Sequence, residues 1–541
     1  MAGTIGGEST SSGAASSGTS SGPGETTSQV VTTGGESGEP ALVDSFERGP
    51  ARVYWMAGAT LYGARELRRV DIGAGVLSPS EVVVEAPVDG LLKWIRTSPT
   101  SRWLAVDGQD AGKGRLWVVD SASAVATPAA LQPDVVEILW AEFSPGEEWL
   151  SFVGGPVGGP YALHVCGVAG DGSCDAQPIH PPLPPMGTVL DRRPWYSNEG
   201  TWIAYSADID GAGGVDVLLA SPPLPGEAAV IASFADPWTD VGWLKFAADE
   251  QVVYFEADVA ADDQYQFFAV DLAVVPPGPP VPLHDPIGVQ SHGRLAPDLG
   301  GLALWTGSDG VGDLWHVAID GLVGGTPKLL NTTTPGQVWF EDFVWSNDSA
   351  RVAFVADALH VVAVAAPNPG EISAPATGIQ YVAFTPDDMH VLYTAFTADE
   401  SGWELFRAGV ESPGSAIRLS DPVLPGGVVY IDWLWSSDAM RLLFHAKRSG
   451  PEPRELFLVD LVDDPPSAAT RLNDPPPPQG FVTATKFSGD GQRVFYIAYS
   501  THDSAGLYTV ELGPDGAAAA PTEIAAPEED VGMYVLIPLS P

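Results

Sequence analysis

Two cysteines are the residues of this 541-residue chain whose spacing most directly suggests covalent chemistry. Cys166 and Cys174 flank a glycine-rich turn between two strand-like runs. On a hairpin they would face each other, where a disulfide can form, and a disulfide requires an oxidising compartment. Free thiols or part of a metal site are the alternatives, although two cysteines without nearby histidines make a poor zinc site. The pair lacks the Cys-x-x-Cys redox spacing, so we expect a structural disulfide rather than a catalytic one.

Clusters of aspartates in loops are the second candidate for chemistry. Carboxylates grouped on a loop can bind Ca²⁺ through their oxygens, but none of these clusters has the EF-hand spacing. Aspartates in turns more commonly accept hydrogen bonds from nearby backbone, and we favour that interpretation. The same structural role is expected for Asp387, Asp438 and Asp490. The clustered residues are Asp107 and Asp110; Asp208, Asp210 and Asp216; and Asp258, Asp262 and Asp263.

Nucleophilic and general-base motifs are poorly represented. A Gly-x-Ser-x-Gly string occurs at 18–22, but it lies in a Ser/Gly-rich tail where such a match arises by chance. The nine histidines are scattered, and His164, His316 and His360 fall in strand patterns typical of packed side chains. No HExxH, P-loop or strand-borne GxGxxG motif is present. The sequence therefore predicts no catalytic, cofactor-binding or metal-binding residue.

Tryptophans offer a weaker signal. Trp238 and Trp243 flank loops and could stack on a sugar or a peptide. The others in strand patterns are expected to fill the space between structural units; they include Trp55, Trp117, Trp149, Trp202, Trp305, Trp339 and Trp435.

The charge balance excludes some classes of partner. The chain has 69 acidic residues against 25 Lys plus Arg, a formal net charge of −44. Nucleic acids and anionic membranes need a basic surface, so neither is an expected partner. The acidic surface would favour cations or basic partners, or it serves solubility alone, which we favour. Runs of eighteen apolar residues are absent, so we expect no membrane-spanning segment.

A ten-residue pattern recurs nine times and must position all of these residues. Each copy has an aromatic or small residue, a polar turn and then an alternating apolar run. Consecutive copies start 39 to 53 residues apart, and a period near fifty made of short strands predicts a radial β repeat. The copies start at Thr97, Phe143, Tyr196, Phe246, Ala296, Trp345, Phe384, Trp435 and Phe487.

The repeats predict an all-β propeller of four-stranded blades. The first unit lacks its first strand, whereas 533–539 (MYVLIPL) is a lone strand at the end of the chain. Pairing the two halves closes a ring and removes exposed sheet edges. Counting this split unit gives ten repeats. We favour one large ring over two tandem rings, although the short interval between Trp345 and Phe384 is a candidate discontinuity.

The motif resembles the TolB-type, WD40-like (PD40) propeller repeat, in which a hydrophobic residue precedes SPDG and an alternating strand. The copies FSPGEEWLSF (143–152), FTPDDMHVLY (384–393) and FSGDGQRVFY (487–496) are close matches. The resemblance covers residues 51–541 and implies a periplasmic or envelope protein that binds partner proteins on a propeller face. TolB itself carries an α/β domain ahead of its propeller, and this chain has a tail there instead.

Residues 1–50 read as a separate, disordered tether. Of the first 40 residues, 26 are Ser, Thr or Gly, a composition that buries too little apolar surface to fold. The start has no basic region followed by an apolar core, so no signal peptide is recognised. The tail suits a position behind an exported or lipid-anchored N-terminus, and we expect a bacterial periplasmic, envelope or extracellular protein.

Three functions remain open from the sequence, the weakest of which is a calcium-stabilised surface or adhesion module. We favour a non-enzymatic scaffold that binds proteins through propeller loops. The alternative is a propeller enzyme or binder that acts on a glycan or a peptide in the central channel, which would need basic or histidine side chains along the inner strands.

Overall fold

A computed structural model describes residues 51–538 of the chain, apart from short gaps. The tail at 1–50 and the Gly-x-Ser-x-Gly string lie outside the described residues. The gaps are 59–62, 73–76, 89, 111, 133, 191–192, 223–227, 237–238, 260–263, 286, 288–289, 309, 334–336, 340–342, 368, 373–377, 397–400, 413, 463–464, 502–503 and 514–516.

Antiparallel strands form ten sheets, or blades, in chain order. Blades 1 to 5 contain, in turn, β1 (Ala51–Ala57), β2 (Glu66–Ile72) and β3 (Glu81–Glu85); β4 (Leu91–Thr97), β5 (Trp103–Asp110), β6 (Lys113–Asp120) and β7 (Ala126–Pro128); β8 (Glu137–Phe143), β9 (Trp149–Gly155), β10 (Ala162–Gly167) and β11 (Gln177–Pro178); β12 (Thr188–Val189), β13 (Trp195–Tyr196), β14 (Ile203–Asp208), β15 (Val215–Ala220) and β16 (Ala229–Phe234); and β17 (Val241–Phe246), β18 (Val252–Ala257), β19 (Gln266–Asp271) and β20 (Val281–Pro282).

The remaining blades follow the same plan, with extra short strands in blade 6 and a first strand split in two in blades 4 and 9. Blades 6 to 10 contain β21 (Gln290–Leu295), β22 (Gly301–Ser308), β23 (Val311–Asp320), β24 (Val323–Gly324), β25 (Lys328–Leu329) and β26 (Val338–Trp339); β27 (Phe343–Trp345), β28 (Arg351–Val355), β29 (Leu359–Ala363) and β30 (Gly370–Glu371); β31 (Gln380–Phe384), β32 (His390–Phe396), β33 (Trp403–Gly409) and β34 (Ile417–Arg418); β35 (Val428–Val429), β36 (Leu434–Trp435), β37 (Arg441–Lys447), β38 (Glu455–Asp460) and β39 (Thr470–Arg471); and β40 (Phe481–Phe487), β41 (Arg493–Thr501), β42 (Ser504–Glu511) and β43 (Thr522–Ala525).

The last strand completes the first blade, as the sequence predicts. A 3₁₀ turn at Pro527–Glu529 leads into β44 (Met533–Pro538), which pairs antiparallel with β1 over six residue pairs. Blade 1 therefore has the order β3-β2-β1-β44, with the end of the chain in the position that a first strand takes elsewhere. The pairing removes the free edge that β1 would otherwise expose.

The blades form one ring of ten. Within the described residues, ten apolar clusters each join two consecutive blades. The cluster that closes the cycle packs Phe495 and Ile497 of blade 10 against Val53 and Trp55 of blade 1. Blades 7 and 8, which span the shortest repeat interval, share an ordinary core cluster. The prediction of a single ring is confirmed, and the short interval is no discontinuity.

A left-handed residue shapes each motif turn. The fifth residue of the motif has φ between 55° and 74°, and the chain then reverses into the second strand. The copy assigned to Ala296 is out of register by one residue, because its first strand ends at Leu295 and Leu299 takes the left-handed position. The sequence missed this shift since the copy lacks an aromatic start.

An aromatic pair links the second and third strands of most blades. Phe152 stacks on His164, Tyr393 on Phe406 and Tyr496 on Tyr508, with ring centres 4.8 to 5.6 Å apart. Each pair sits directly opposite in the strand register. Such pairs contribute packing beyond their buried area, which explains the aromatic at the end of the motif.

Two faces of the ring follow from this topology. The motif turns lie on one face, which we call the turn face. The links from the last strand of one blade to the first strand of the next lie on the other, which we call the connection face. First strands of neighbouring blades contact one another, as β4 contacts both β44 and β8, so they line the central channel. No helix in the described part of the chain is long and apolar enough to cross a membrane.

Candidate functional site: the wall of the central channel

The channel wall reverses the charge balance of the protein. Within the bounds of the first strands, five Lys or Arg residues stand against two glutamates. The whole chain has 25 against 69. Basic side chains are therefore concentrated where the ring converges. The residues are Lys93, Arg96, Lys245, Arg294 and Lys486, opposed by Glu137 and Glu142.

Four of these cations occupy the same position in their strands. Arg96, Lys245, Arg294 and Lys486 each stand one residue before the last residue of the first strand. Because the blades repeat the same geometry, equal strand positions lie at one level of the channel. The cations thus share a level close to the turn face.

An aromatic ring of the next blade receives three of the four cations. The guanidinium carbon of Arg96 lies 4.5 Å from the ring centre of Trp140, and that of Arg294 lies 5.0 Å from Phe343. The Lys486 ammonium is 5.8 Å from the ring centre of Tyr534. Attraction between a cation and an aromatic face stabilises each contact and fixes the side chain against the neighbouring blade.

The densest group joins blades 2, 3 and 4, and we call it the channel cluster: Trp94, Arg96, Trp140, Glu142 and Arg193. Arg193 also lies over Trp140, at 5.5 Å. It donates to both oxygens of Glu142, with Nε 3.2 Å from Oε2 and Nη2 3.3 Å from Oε1. The indole N–H of Trp140 donates to the same carboxylate at 3.3 Å. Two cations and one carboxylate leave the cluster with a net positive charge.

Among the residues that the structure describes, Arg96 is the cation of this cluster without a carboxylate partner. Its Nη1 reaches the carbonyl of Ile95 at only 3.5 Å, and among the described residues its buried Nε has no acceptor. Burial lowers the pKa of Arg96 to about 10; Glu142 opposes this shift and Arg193 adds to it. The guanidinium is still charged at neutral pH, so a half-buried cation has unused hydrogen-bond donors facing this cluster.

A second group has the connectivity of a nucleophile, a base and an acid. His445 Nε2 lies 2.9 Å from the Thr485 hydroxyl, and Nδ1 lies 2.8 Å from Asp432 Oδ2. Arg454 also donates to Asp432. Burial lowers the pKa of His445 against the attraction of Asp432. Burial opposes the ionisation of Asp432, yet His445 and Arg454 hold its pKa below the usual range.

This second group is placed to join blades rather than to meet a substrate. Thr485 is 3 % exposed and His445 is 2 % exposed, so a substrate has no access to either side chain. The hydrogen bonds run from blade 9 to blade 10 and satisfy buried polar atoms at the interface. We therefore read the group as a structural link.

The cysteine prediction is confirmed. Cys166 and Cys174 form a disulfide with their Cα atoms 5.3 Å apart. Both side chains are buried in the core between blades 2 and 3, which stabilises the turn that follows β10.

The acidic loops act within their own turns. Asp208 accepts hydrogen bonds from the backbone of Gly211 and Gly213 at 2.7 and 3.0 Å, and Asp210 accepts one from Ala212 at 2.8 Å. Asp216 lies in β15, and Asp258 accepts a hydrogen bond from the Asp240 backbone. Asp262 and Asp263 lie outside the described residues. No group of three His, Cys, Asp or Glu suited to a metal occurs in the part of the chain that the structure describes.

Asp107 and Asp110 do not share a loop as the sequence suggested. Both belong to β5, because the strand continues four residues beyond the apolar run. Asp110 pairs with Arg115 at 2.8 Å. Asp107 is 1 % exposed, and burial raises the pKa of its carboxyl well above the usual range.

The turn aspartates have the structural role expected of them. Asp387, Asp438 and Asp490 each accept a hydrogen bond at 2.6 Å from the hydroxyl two residues earlier.

The histidines in strands are packed, as expected. His164, His316 and His360 lie in β10, β23 and β29 and are buried. Trp55 and Trp305 are buried between blades, but Trp339 is 51 % exposed because it stands at the end of a short outer strand. Trp238 and the side chain of Trp243 lie outside the described part of the structure.

The channel cluster was not found from the sequence. Its signal is an aromatic residue two positions before a cation at the end of a first strand, as in Trp94 and Arg96. The first strands lack a regular alternation, since bulges interrupt several of them, and this hid the shared position.

Comparisons with known proteins give architecture alone. No protein-family model matches the sequence, and no curated protein matches it. Among solved structures, a eukaryotic initiation factor aligns over 90 % of this chain and 98 % of its own at 12 % identity and a TM-score of 0.46. An oligogalacturonate lyase in complex with manganese aligns over 67 % and 96 % at 13 % identity and 0.33. TolB from Acinetobacter baumannii aligns over 52 % and 66 % at 11 % identity and 0.27. Likeness at this level carries no functional argument.

Proposed function

We propose that the protein is a non-enzymatic, extracytoplasmic scaffold that binds a protein partner through the loops of a TolB-like propeller. The observation that carries this proposal is a set of large apolar side chains exposed on the connection face. Exposed apolar side chains contribute to interaction sites, and others, including Val275 and Met389, are exposed on the turn face. The set, which we call the apolar face, consists of Val88, Met186, Trp339 and Leu424.

The exposure of these side chains is large enough to matter. Met186 is 75 % exposed and Leu424 is 59 % exposed, in the links that enter blades 4 and 9. These links contain several prolines, including Pro184 and Pro425, which restrict the backbone and lower the entropy lost on binding. A rigid loop that presents apolar side chains suits a protein partner.

The extracytoplasmic location is supported by the buried disulfide, which requires oxidising conditions to form. In this proposal residues 1–50 are a flexible tether that holds the propeller at the bacterial envelope, with a lipid anchor as one means of attachment. The charge of −44 disfavours direct contact of the propeller with anionic lipid.

Partner capture tests the proposal. Full-length protein serves as bait for a bacterial envelope extract, followed by a salt wash that removes loose binding to the acidic surface. We expect one protein at stoichiometric yield, and we expect its loss with Met186→Ser/Leu424→Ser. Val125→Ser/Val462→Ser is the matched control, because both valines are exposed on outer loops of the turn face. If Met186→Ser/Leu424→Ser captures the partner as well as the wild type does, the proposal is contradicted.

The second candidate is a binder of a glycan or a peptide in the channel. The cations and aromatic rings along the first strands favour it, because the sequence-based alternative required basic side chains at these positions. An envelope extract that yields no protein but leaves a glycan or peptide on the wild-type bait would support this candidate instead.

A further inference from the structure

We propose that Arg96, together with Trp94 and Trp140, forms a binding site in the channel wall for the carboxylate, sulfate or phosphate group of a small ligand. This site is distinct from the apolar face, and its ligand is a small oxyanion rather than a protein.

The channel cluster contains two guanidinium groups and one carboxylate. Arg193 forms an ion pair with Glu142 through two hydrogen bonds of 3.2 and 3.3 Å. Among the described residues Arg96 has no carboxylate of its own, although it is largely buried and lies beside a second guanidinium. A cation withdrawn from water is costly unless an anion compensates it. Among the described residues, the cluster has one more positive charge than negative charges.

Two indole rings fix the position of the Arg96 guanidinium and its N–H donors. The guanidinium of Arg96 lies over two indoles, 4.5 Å from the ring centre of Trp140 and 5.5 Å from that of Trp94. An aromatic face attracts the charge but accepts none of the N–H bonds in the guanidinium plane. The Nε donor is closed to solvent and has no acceptor among the described residues, whereas Nη1 makes only a 3.5 Å contact with the carbonyl of Ile95, so the terminal nitrogens are the donors that a ligand would meet. The rings hold the guanidinium in place, and an oxyanion supplies the missing acceptors in the two-point manner typical of arginine.

Other basic side chains surround Arg96 at its level of the channel. Lys245, Arg294 and Lys486 stand at the same level of the channel as Arg96, so basic side chains gather there although the protein as a whole carries −44. A group of basic side chains inside an acidic molecule favours the approach of small anions. Large polyanions would meet the acidic outer surface first, and this favours a small ligand.

Calorimetric titration of the full-length protein tests the site. The probes are inorganic sulfate, inorganic phosphate and glucuronate at constant ionic strength, with chloride and neutral glucose as controls. We expect saturable binding of at least one oxyanion at one site per chain, and none of glucose. Binding of glucuronate alone would indicate a sugar acid, whereas sulfate or phosphate binding would indicate an inorganic or ester group.

Three variants assign the binding to Arg96. Arg96→Met retains the aliphatic packing on the indoles and removes the donors, and we expect affinity to fall at least about tenfold. Glu142→Gln removes the competing carboxylate, and we expect tighter binding. Arg115→Gln is the matched control, because this exposed arginine of the same blade pairs with Asp110 away from the channel.

Two results would overturn the proposal. One is no saturable binding of any probe at concentrations that reveal a Kd of about 1 mM. The other is binding unchanged by Arg96→Met or weakened by Glu142→Gln, and the latter variant keeps the test decisive should Arg96→Met fail to fold. Neither result bears on partner capture, which depends on the apolar face.

Discussion

At the residue scale, the recurring aromatic pair explains the role of His164, a residue type that is often catalytic. His164 takes the position held by Phe268, Phe406, Phe457 and Tyr508 in other blades. It stacks on Phe152 with ring centres 4.8 Å apart and planes 10° apart. Burial, with a smaller contribution from His180, lowers the pKa of His164 to about 4. The side chain is therefore a neutral ring that packs.

His164→Phe should reduce the sensitivity of the fold to acid. The folded protein keeps His164 neutral while the unfolded chain protonates it below its ordinary pKa, so stability is lost as pH falls from about 6.5 towards 4. We expect the wild type to lose about 2 kcal/mol more than the variant between pH 7.5 and 5. Denaturant unfolding at the two pH values measures the difference. Equal losses in both proteins would show that His164 is not a buried neutral ring.

At the element scale, the motif turn of one blade binds the turn of the blade before it. Asp388 accepts hydrogen bonds from the backbone of Asn347 and Asp348, each 2.8 Å long, and from the Asn347 side chain at 2.7 Å. Glu147 and Ser349 make corresponding contacts with Thr100 and Asp298. The left-handed residue therefore has two roles, since it reverses the chain and links adjacent blades on the turn face.

Asp388→Ala should destabilise the contact between blades 7 and 8. Ala439 occupies the same left-handed position in blade 9, so the backbone tolerates alanine and the loss reflects the missing hydrogen bonds. We expect a cost of about 1–3 kcal/mol in free energy of unfolding. Ser349→Ala is the matched control, because it removes one such bond of 3.0 Å and should cost less. A larger loss of stability for Ser349→Ala than for Asp388→Ala would refute the assigned contact.

The limits of sequence reasoning also appear at this scale. The strands, the motif turns and the pairing of Cys166 with Cys174 were predictable because each depends on residues close in sequence. The contacts between blades were not, because Arg96 and Trp140 belong to different repeats whose relative level only the ring determines. The roles of Asp107 and Trp339 were misjudged for a similar reason: burial at a strand end depends on neighbouring blades.

At the scale of the whole molecule, closure by β44 holds ten blades in one ring. The core between blades 10 and 1 includes Tyr534 and Leu536 of this strand as well as Val53 and Trp55. Loss of the strand would expose the edge of β1 and open the cluster that completes the cycle. Stability should therefore depend on the end of the chain far more than its length suggests.

Truncation after Gly532 tests this dependence. We expect a lower Tm than the wild type and self-association through the exposed β1 edge, because the blade loses its innermost strand. Truncation after Pro538 is the matched control, since it keeps β44 whole. Thermal unfolding and size-exclusion chromatography provide the two measurements. An unchanged Tm after removal of β44 would mean that the ring does not depend on this closure.

The geometry of that closing pair also determines how the molecule responds to mechanical load. Ala51 pairs with Pro538 and Met56 with Met533, so the chain enters β1 and leaves β44 at the same end of the pair. A force that pulls these two ends apart opens the pair like a zipper, one residue pair at a time, rather than straining all six together. The ring therefore yields first at this closing pair when force is applied between these two ends.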